Sequence, residues 1–199
     1  MALPLQWPAD PRSDAFLMTE SNRLAARMLE QWEAWPTMAA ILTGPRKSGR
    51  SLLARIFAAR TGGTIIDDAE RVPEEQIFHA WNRAQADRLP LVIVADAAPP
   101  RWQVKLPDLR SRLANSSLAE IGAPDDELVA GLFEHLFERR GVDARPELIE
   151  WLTLRIERSH LSVIRAVDML DQGAMERRAR LSIPLARSIL TAAGLIAEP

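Results

Sequence analysis

The sequence has no cysteine, no tyrosine and only two lysines, and it lacks any long run of apolar residues. The absence of cysteine excludes disulfide bonds, thiol nucleophiles and cysteine-ligated metals. No stretch approaches the roughly 18 consecutive apolar residues that a membrane-spanning helix needs. The first ten residues, MALPLQWPAD, lack the basic start and the apolar run of a signal peptide. We therefore expect a cytoplasmic protein that does not contact a membrane.

The chain also lacks a large excess of positive or negative charge. The formal net charge is -2 over 199 residues, which argues against bulk electrostatic binding to DNA or RNA. Hydrophobic residues make up 47% of the chain and charged residues 26%, which is the balance of a globular protein. A chain of this length forms one domain or two small ones, and it can bury a core without covalent cross-links.

Apolar runs that are typical of buried strands alternate with helical patterns over roughly the first 120 residues. The strands are predicted at residues 38–42, 64–66, 91–95 and 117–121, and two of the intervening helices at 50–61 and 74–87. An earlier helix is predicted to begin at an N-cap, Ser21, and to run up to Trp35. Strands that alternate with helices in this way form a parallel sheet with crossover helices.

The pattern changes after Asp125, where only helical periodicity remains. These helices are predicted at residues 126–139, 146–158, 162–175 and 184–195. The first 20 residues contain three prolines and no helical period, and we expect an extended arm there. The sequence thus predicts an arm at 1–20, an α/β base at 21–123 and an all-helical part at 124–199.

A loop with two glycines lies between the first predicted strand and the next helix, where a phosphate-binding P-loop belongs. Its residues are Gly44, Pro45, Arg46, Lys47, Ser48, Gly49, Arg50 and Ser51. Both glycines and the final hydroxyl fit the pattern GxxxxGK followed by Ser or Thr, but Arg50 stands at the lysine position. The loop would wrap a phosphate with backbone N–H groups, and Ser51 would hold Mg²⁺. The alternative is a vestigial loop that keeps its shape and binds no nucleotide.

The second predicted strand ends in two acids, Asp67 and Asp68. This pattern is typical of a Walker B element, in which the first acid orients Mg²⁺ and the second positions an attacking water. A competing interpretation assigns the Walker B element to residues 91–96, because that strand also ends in an aspartate, Asp96.

Two arginines, Arg110 and Arg112, stand two positions apart in LPDLRSRL, just before the fourth predicted strand. The ordinary interpretation is a solvated surface. At such a position an arginine can also serve the nucleotide of a neighbouring subunit. The three histidines lie on separate predicted helices and show no metal-ligand spacing.

Taken in order along the chain, these segments resemble the AAA+ ATPases of the DnaA family. The matching segments are a proline-rich start, GPRKSGRSLLAR, IIDDAER, EEQIFHAWNRA, LVIVADAAPPRW, LPDLRSRL, IGAPDDELV and IERSHLSVIRAVDML. No single segment is diagnostic, but their order is fairly specific. The resemblance implies an α/β P-loop base with a parallel sheet, followed by an all-α helical lid, with the nucleotide held between them.

The resemblance also implies roles for individual residues. Asp67 takes the place of the acid that orients Mg²⁺, and Asp68 takes the place of the catalytic acid. Asp96 takes the sensor 1 position beside the nucleotide, and Arg112 that of the arginine finger. Arg165 is the arginine nearest to the sensor 2 position.

The sequence departs from the family pattern at several places. Arg50 replaces the P-loop lysine, and Ser162 aligns with the sensor 2 arginine, one turn before Arg165. Only 16 positions separate Ser51 from Asp67. This gap is too short for the strand and helix that normally lie there, so the sheet is predicted to have lost an edge strand.

The N-terminal arm carries Leu3, Pro4 and Leu5. The arm has the apolar spacing of the clamp-binding motif of short DnaA-related regulators, but not its leading glutamine. An extended peptide with apolar anchors could enter a groove on the sliding clamp of DNA polymerase. The alternative is an arm that binds nothing.

The resemblance implies a short regulator of replication initiation that meets ATP-bound DnaA and offers Arg112 to DnaA's nucleotide. Its own ligand would be ADP or ATP with Mg²⁺, its own hydrolysis would be slow or absent, and it could form a homo-oligomer. Direct sequence-specific DNA binding is not expected, because the sequence stops after the lid helices. The rival hypothesis is a degenerate AAA+ fold that serves as a nucleotide-independent protein-interaction module.

Overall fold

The computed structural model describes residues 16–197. They form two compact units, of which the first ends at Gly122 and the second begins at Ala123. The proposed clamp-binding residues Leu3, Pro4 and Leu5 lie outside the described residues, and their role stays a prediction. Within residues 16–197, no helix combines the length and the apolar character needed to cross a membrane.

The first unit is a parallel sheet with helices on both faces. Its strands are β1 (Ala39–Thr43), β2 (Thr64–Ile66), β3 (Leu91–Val94) and β4 (Ser117–Glu120). Its helices are α1 (Glu20–Glu30), α2 (Arg50–Thr61), α3 (Glu74–Asp87) and α4 (Pro107–Ala114), with 3-10 turns at Trp32–Ala34 and Ala69–Arg71. The strand order is β2-β3-β1-β4, and every neighbouring pair is parallel.

Two apolar layers bury the sheet, because successive residues of a strand point to opposite faces. On one face, Leu42 and Val94 pack with α1 and α2. On the other face, Ile41 and Ile93 pack with α3 and α4. Since both faces are covered, β1 and β3 are buried along their whole length, and all their residues except Thr43 are apolar.

The second unit is a bundle of four helices, α5 (Asp126–Arg139), α6 (Pro146–Thr153), α7 (His160–Arg177) and α8 (Ile183–Ala192). Its core includes the stacked rings of Phe133 and Phe137. Side chains of Asp125, Ser159 and Ser182 cap α5, α7 and α8 by accepting hydrogen bonds from backbone N–H groups of the first turns. The predicted fold class, a parallel α/β base followed by an all-helical part, is confirmed.

Several predicted boundaries are wrong. The N-cap of α1 is Thr19, whose backbone is extended and whose N–H donates to Asn22 Oδ1 at 3.0 Å, while Ser21 lies inside the first turn. That helix ends at Glu30 rather than at Trp35. In the second unit, α6 ends at Thr153 rather than at residue 158.

Candidate functional site

The loop between β1 and α2 has the backbone of an anion-binding loop. Gly44, Lys47 and Gly49 have φ values of 150°, 65° and 85°. A Cβ atom at Gly44 would lie 2.8 Å from Ile121 Cβ, so only glycine fits there. Gly49 is the N-cap of α2 and offers no side chain to the first N–H groups of that helix. Free N–H groups at a helix N-terminus attract anions.

The Ser48 side chain gives a second indication of an anion site. This residue is only 6% exposed, and its Oγ finds no hydrogen-bond partner among residues 16–197. A buried hydroxyl without a partner is unfavourable, and a phosphate oxygen would satisfy it. The loop residues therefore fit a phosphate group, as the sequence pattern predicts.

Ser51 and Asp67 meet at the carboxyl ends of the strands. The Ser51 hydroxyl lies 3.0 Å from Asp67 Oδ1, which also accepts the Asp68 N–H at 3.1 Å. A hydroxyl and one carboxylate, completed by phosphate oxygens and water, form the ligand set that Mg²⁺ takes in nucleotide sites. The contact places Asp67, rather than Asp96, beside the hydroxyl. Asp68 is exposed, and its Oδ2 lies 3.9 Å from Arg71 Nη1.

The structure brings Arg50 to the end of β3. Its side chain is 12% exposed, and its guanidinium donates to the Ala95 carbonyl and, at 2.7 Å, to Asp96 Oδ1. The second oxygen of Asp96 lies 3.5 Å from Arg46 Nη2. The hydrogen bond from Arg50, helped more weakly by Arg46, holds the pKa of Asp96 below its ordinary value. The cation at the lysine position of the P-loop pattern, Arg50, is thus paired inside the chain.

Two glutamates that sequence reasoning missed hold the loops around this site. Glu70 Oε1 accepts the backbone N–H groups of Asp96 and Ala97, at 2.5 and 3.3 Å. Glu74 accepts the N–H groups of Lys105 and Leu106 at 2.8 and 2.6 Å, and these bonds lower its pKa. No local pattern marks either residue, because its partners are distant in the sequence.

Arg112 lies in the last turn of α4, near the amino end of β4. In a parallel sheet the amino ends of the strands lie opposite to the carboxyl ends, where the P-loop begins. The Arg112 guanidinium carbon lies 4.2 Å from the ring centroid of Phe78 and 4.9 Å from that of Trp81, both on α3. The structure therefore does not bring Arg112 together with the P-loop of its own chain. Arg110 is exposed on the same helix.

In the second unit, the residue aligned with sensor 2 has a structural partner. Ser162 is 7% exposed, its Oγ donates to Glu157 Oε2 at 2.8 Å, and its N–H donates to Ser159 Oγ at 3.1 Å. Arg165 is exposed on α7. The roles of Asp68, Asp96, Arg112 and Arg165 stay predictions.

No family model matches this chain. It is 30% identical over 118 residues to an uncharacterised protein of Haemophilus influenzae, a match that covers 59% of this chain and 51% of that protein. The chain thus spans about half the length of this curated relative.

Solved structures show the fold. Domain III of the Thermotoga maritima replication initiation protein DnaA superposes with a TM-score of 0.74 at 13% identity, covering 92% of this chain and 95% of that one. The RuvB Holliday junction branch migration motor of the same organism gives 0.66 at 16% identity, covering 90% and 70%. AMPPCP-bound DnaA from Aquifex aeolicus gives 0.62 at 15% identity, covering 82% and 66%. The chain therefore shares the α/β fold of the AAA+ domains of DnaA and RuvB.

Proposed function

We propose that this protein is a regulator of chromosome replication initiation like Hda, the short DnaA-related protein that lacks a DNA-binding domain. In this proposal it promotes ATP hydrolysis by DnaA in the cytoplasm and has little or no ATPase activity of its own. The observation that carries the proposal is the position of Arg112 at the amino ends of the strands, opposite to the end where its own P-loop begins. An arginine at that end of the sheet is suited to the nucleotide of another AAA+ subunit.

The proposed chemistry is electrostatic. ATP hydrolysis spreads negative charge over the oxygens of the γ-phosphate, and a guanidinium supplied by a neighbouring protein stabilises that charge. Arg112 keeps its charge and presents several donors in a planar fork, which suits phosphate oxygens. DnaA would provide the bound ATP, and this chain would provide the arginine.

Low intrinsic activity follows from the contacts of Arg50. A P-loop lysine reaches the β- and γ-phosphates, but the Arg50 guanidinium is engaged by Ala95 and Asp96. We propose that ADP or ATP binds on residues 44–51, with Mg²⁺ at Ser51 and Asp67. The proposed contributions of Asp68 as a catalytic acid and of Arg165 as a nucleotide ligand rest on the family resemblance alone.

The test is the rate of ATP hydrolysis by DnaA in the presence of this protein, the sliding clamp and DNA. Arg112→Ala is expected to lower the stimulated rate by about 1,000-fold or to the unstimulated level, because an arginine finger contributes a factor of that order. Arg110→Ala is the matched control on the exposed side of the same helix and should retain stimulation. Retained stimulation by Arg112→Ala would overturn the proposal.

A second candidate function is a nucleotide-independent protein-interaction module. The pairing of Arg50 with Asp96 favours it, because the cation at the lysine position of the P-loop pattern already has a partner in its own chain. Calorimetric titration with ADP and ATP, with and without Mg²⁺, separates the two candidates. Micromolar or tighter binding supports a nucleotide-bound regulator, whereas no binding together with no stimulation of DnaA supports the interaction module.

Two further proposals have separate tests. Clamp binding through Leu3, Pro4 and Leu5 is tested by deleting the arm and measuring binding to the clamp. The formation of homo-oligomers is tested by analytical ultracentrifugation.

A further inference from the structure

Two aromatic residues of α3 enclose the side chain of Arg112. Phe78 and Trp81 are three positions apart, which places them on one side of the helix. Both rings are half-buried, and the guanidinium carbon lies 4.2 and 4.9 Å from their centroids. These distances are within the roughly 6 Å over which the face of an aromatic ring attracts a cation. Arg112 is thus held by two rings at once.

Hydrogen bonds fix one of these rings relative to α4. Trp81 Nε1 donates to Ser116 Oγ at 3.1 Å, and that hydroxyl donates to the Arg112 carbonyl at 3.0 Å. The indole is therefore tied to the backbone of the same arginine whose side chain it contacts. If the indole rotated, it would lose both the hydrogen bond and the contact with the guanidinium.

The rings hold the guanidinium without neutralising its charge. Arg112 Nη1 is buried and has no hydrogen-bond partner among residues 16–197. A carboxylate in this place would pair with the arginine and compete with a phosphate. An aromatic face attracts the charge but leaves the N–H groups without a strong acceptor.

We propose that Phe78 and Trp81 are positioning residues that hold the Arg112 guanidinium, charged and oriented, for the γ-phosphate of a partner's ATP. This inference rests on the proposed function. A long arginine side chain in solvent samples many rotamers, and most of them point away from any single acceptor. The two rings select one region of space for the guanidinium before the partner arrives.

The kinetic test uses Trp81→Leu and Phe78→Leu in the DnaA hydrolysis assay. Each change should lower the maximal stimulated rate by between about 10-fold and 100-fold, because a displaced catalytic group costs that much. The concentration for half-maximal stimulation should stay unchanged, since the rings are not proposed to bind DnaA. Trp81→Phe and Phe78→Tyr, which keep an aromatic ring, should each retain more of the rate than the leucine variant at the same position, although Trp81→Phe loses the hydrogen bond to Ser116. An unchanged maximal rate in both leucine variants would contradict the inference.

Trp35→Leu is the matched structural control. Trp35 is a buried tryptophan of the same unit, on the opposite face of the sheet, and its indole also donates one hydrogen bond, to the Met28 carbonyl at 2.8 Å. This variant should lower the melting temperature at least as much as Trp81→Leu does, while it keeps the full stimulated rate. A loss of stimulation in Trp35→Leu would mean that the effect of the ring variants is general destabilisation.

A second measurement does not depend on DnaA. In protein labelled with ¹⁵N-arginine, the Arg112 Nε–H resonance, assigned with Arg112→Lys, should show a ring-current shift that Trp81→Leu and Phe78→Leu each reduce. A resonance without that shift in the unmodified protein would overturn the stacked arrangement itself. If the shift is present and Arg112→Ala abolishes stimulation but the leucine variants do not, the positioning role fails and the proposed function stands. If Arg112→Ala still stimulates DnaA, the proposed function fails and the positioning role fails with it.

Discussion

Arg50 and Arg112 are the same residue type in the same unit, but their surroundings are opposite. Arg50 donates to a backbone carbonyl and a carboxylate of its own chain. Arg112 contacts two aromatic rings and has a buried nitrogen without an acceptor among the described residues. A guanidinium that its own chain satisfies contributes to the structure. A guanidinium that aromatic rings hold, with no carboxylate beside it, keeps its full charge for an acceptor from outside.

The comparison also explains why arginine and lysine are not equivalent at position 50, where the P-loop pattern has lysine. Arginine is longer and its planar fork can bond two acceptors at once, whereas lysine carries a compact charge at a single nitrogen. The end of β3 offers two acceptors, Ala95 O and Asp96 Oδ1, that match this fork. The substitution therefore changes which group the P-loop cation binds, and not only its size.

Replacing each arginine by methionine should have unequal effects on stability. Arg50→Met removes hydrogen bonds from a charged donor and should lower the free energy of unfolding by about 1.5–3 kcal/mol. Arg112→Met loses only ring contacts and should lower it by about 1 kcal/mol or less. Urea unfolding, combined with hydrogen exchange of β1 and β3 amides to isolate the first unit, measures both. A larger loss of unfolding free energy in Arg112→Met than in Arg50→Met would contradict the assignment of Arg50 as the structural arginine.

Changing Arg50 to lysine should release the cation at position 50 from its internal partners. The shorter lysine cannot bond Ala95 and Asp96 in the same fork, and Arg50→Lys restores the GxxxxGK pattern. We expect affinity for ADP with Mg²⁺ to rise by about tenfold or more, or about 1.4 kcal/mol, in a calorimetric titration.

The control for this gain is Ser51→Ala in the Arg50→Lys background. It removes the hydroxyl that contacts Asp67 and should cancel the Mg²⁺-dependent part of the gain. Equal affinities of the unmodified protein and Arg50→Lys would show that the internal pair does not compete with nucleotide.

The smallest expected effect is on the pH dependence of stability. The folded pKa of Asp96 is lowered, so its contribution is fully present above the unfolded carboxyl value of about 3.9 and is lost as the pH falls through the folded pKa. Asp96→Asn removes this contribution. Because the carboxylate is half exposed, the difference from the unmodified protein should stay below about 1 kcal/mol at neutral pH and shrink in acid. Urea unfolding at a series of pH values measures it, and a difference that grows in acid would contradict the assignment.

Much of the fold follows from local sequence signals. The bounds of α2, β2, α3 and α5 coincide with those predicted, because glycines, a proline or an acidic N-cap mark their ends. The apolar pattern does not indicate helix α4, since only Leu109 and Leu113 of its eight residues are buried and four of the others are polar or charged. The end of α6 was misplaced, because the apolar residues after Thr153 continue the helical pattern without forming helix.

Some features of the candidate site also follow from the local sequence, and others do not. The spacing of glycines and hydroxyls predicts where the P-loop lies, and its local backbone angles agree with that position. The partners of Arg50 do not follow from the local sequence. Ala95 and Asp96 lie next to Arg50 only because β3 pairs with β1. The contact of Arg112 with Phe78 and Trp81 depends likewise on the packing of α4 against α3. Contacts of this kind are set by tertiary structure, and a single sequence does not show them.

One of the two outer edges of the sheet has a consequence for behaviour at high concentration. The sheet ends at β2, which is three residues long, with Thr64 exposed and Ile65 and Ile66 half-buried. An exposed edge strand is a template on which other chains can add strands and aggregate, and short edges are one of the ways in which natural proteins avoid this. Three residues are fewer than the five to seven that an aggregation-prone segment spans. At this edge, so short a strand offers other copies of the chain little backbone on which to assemble.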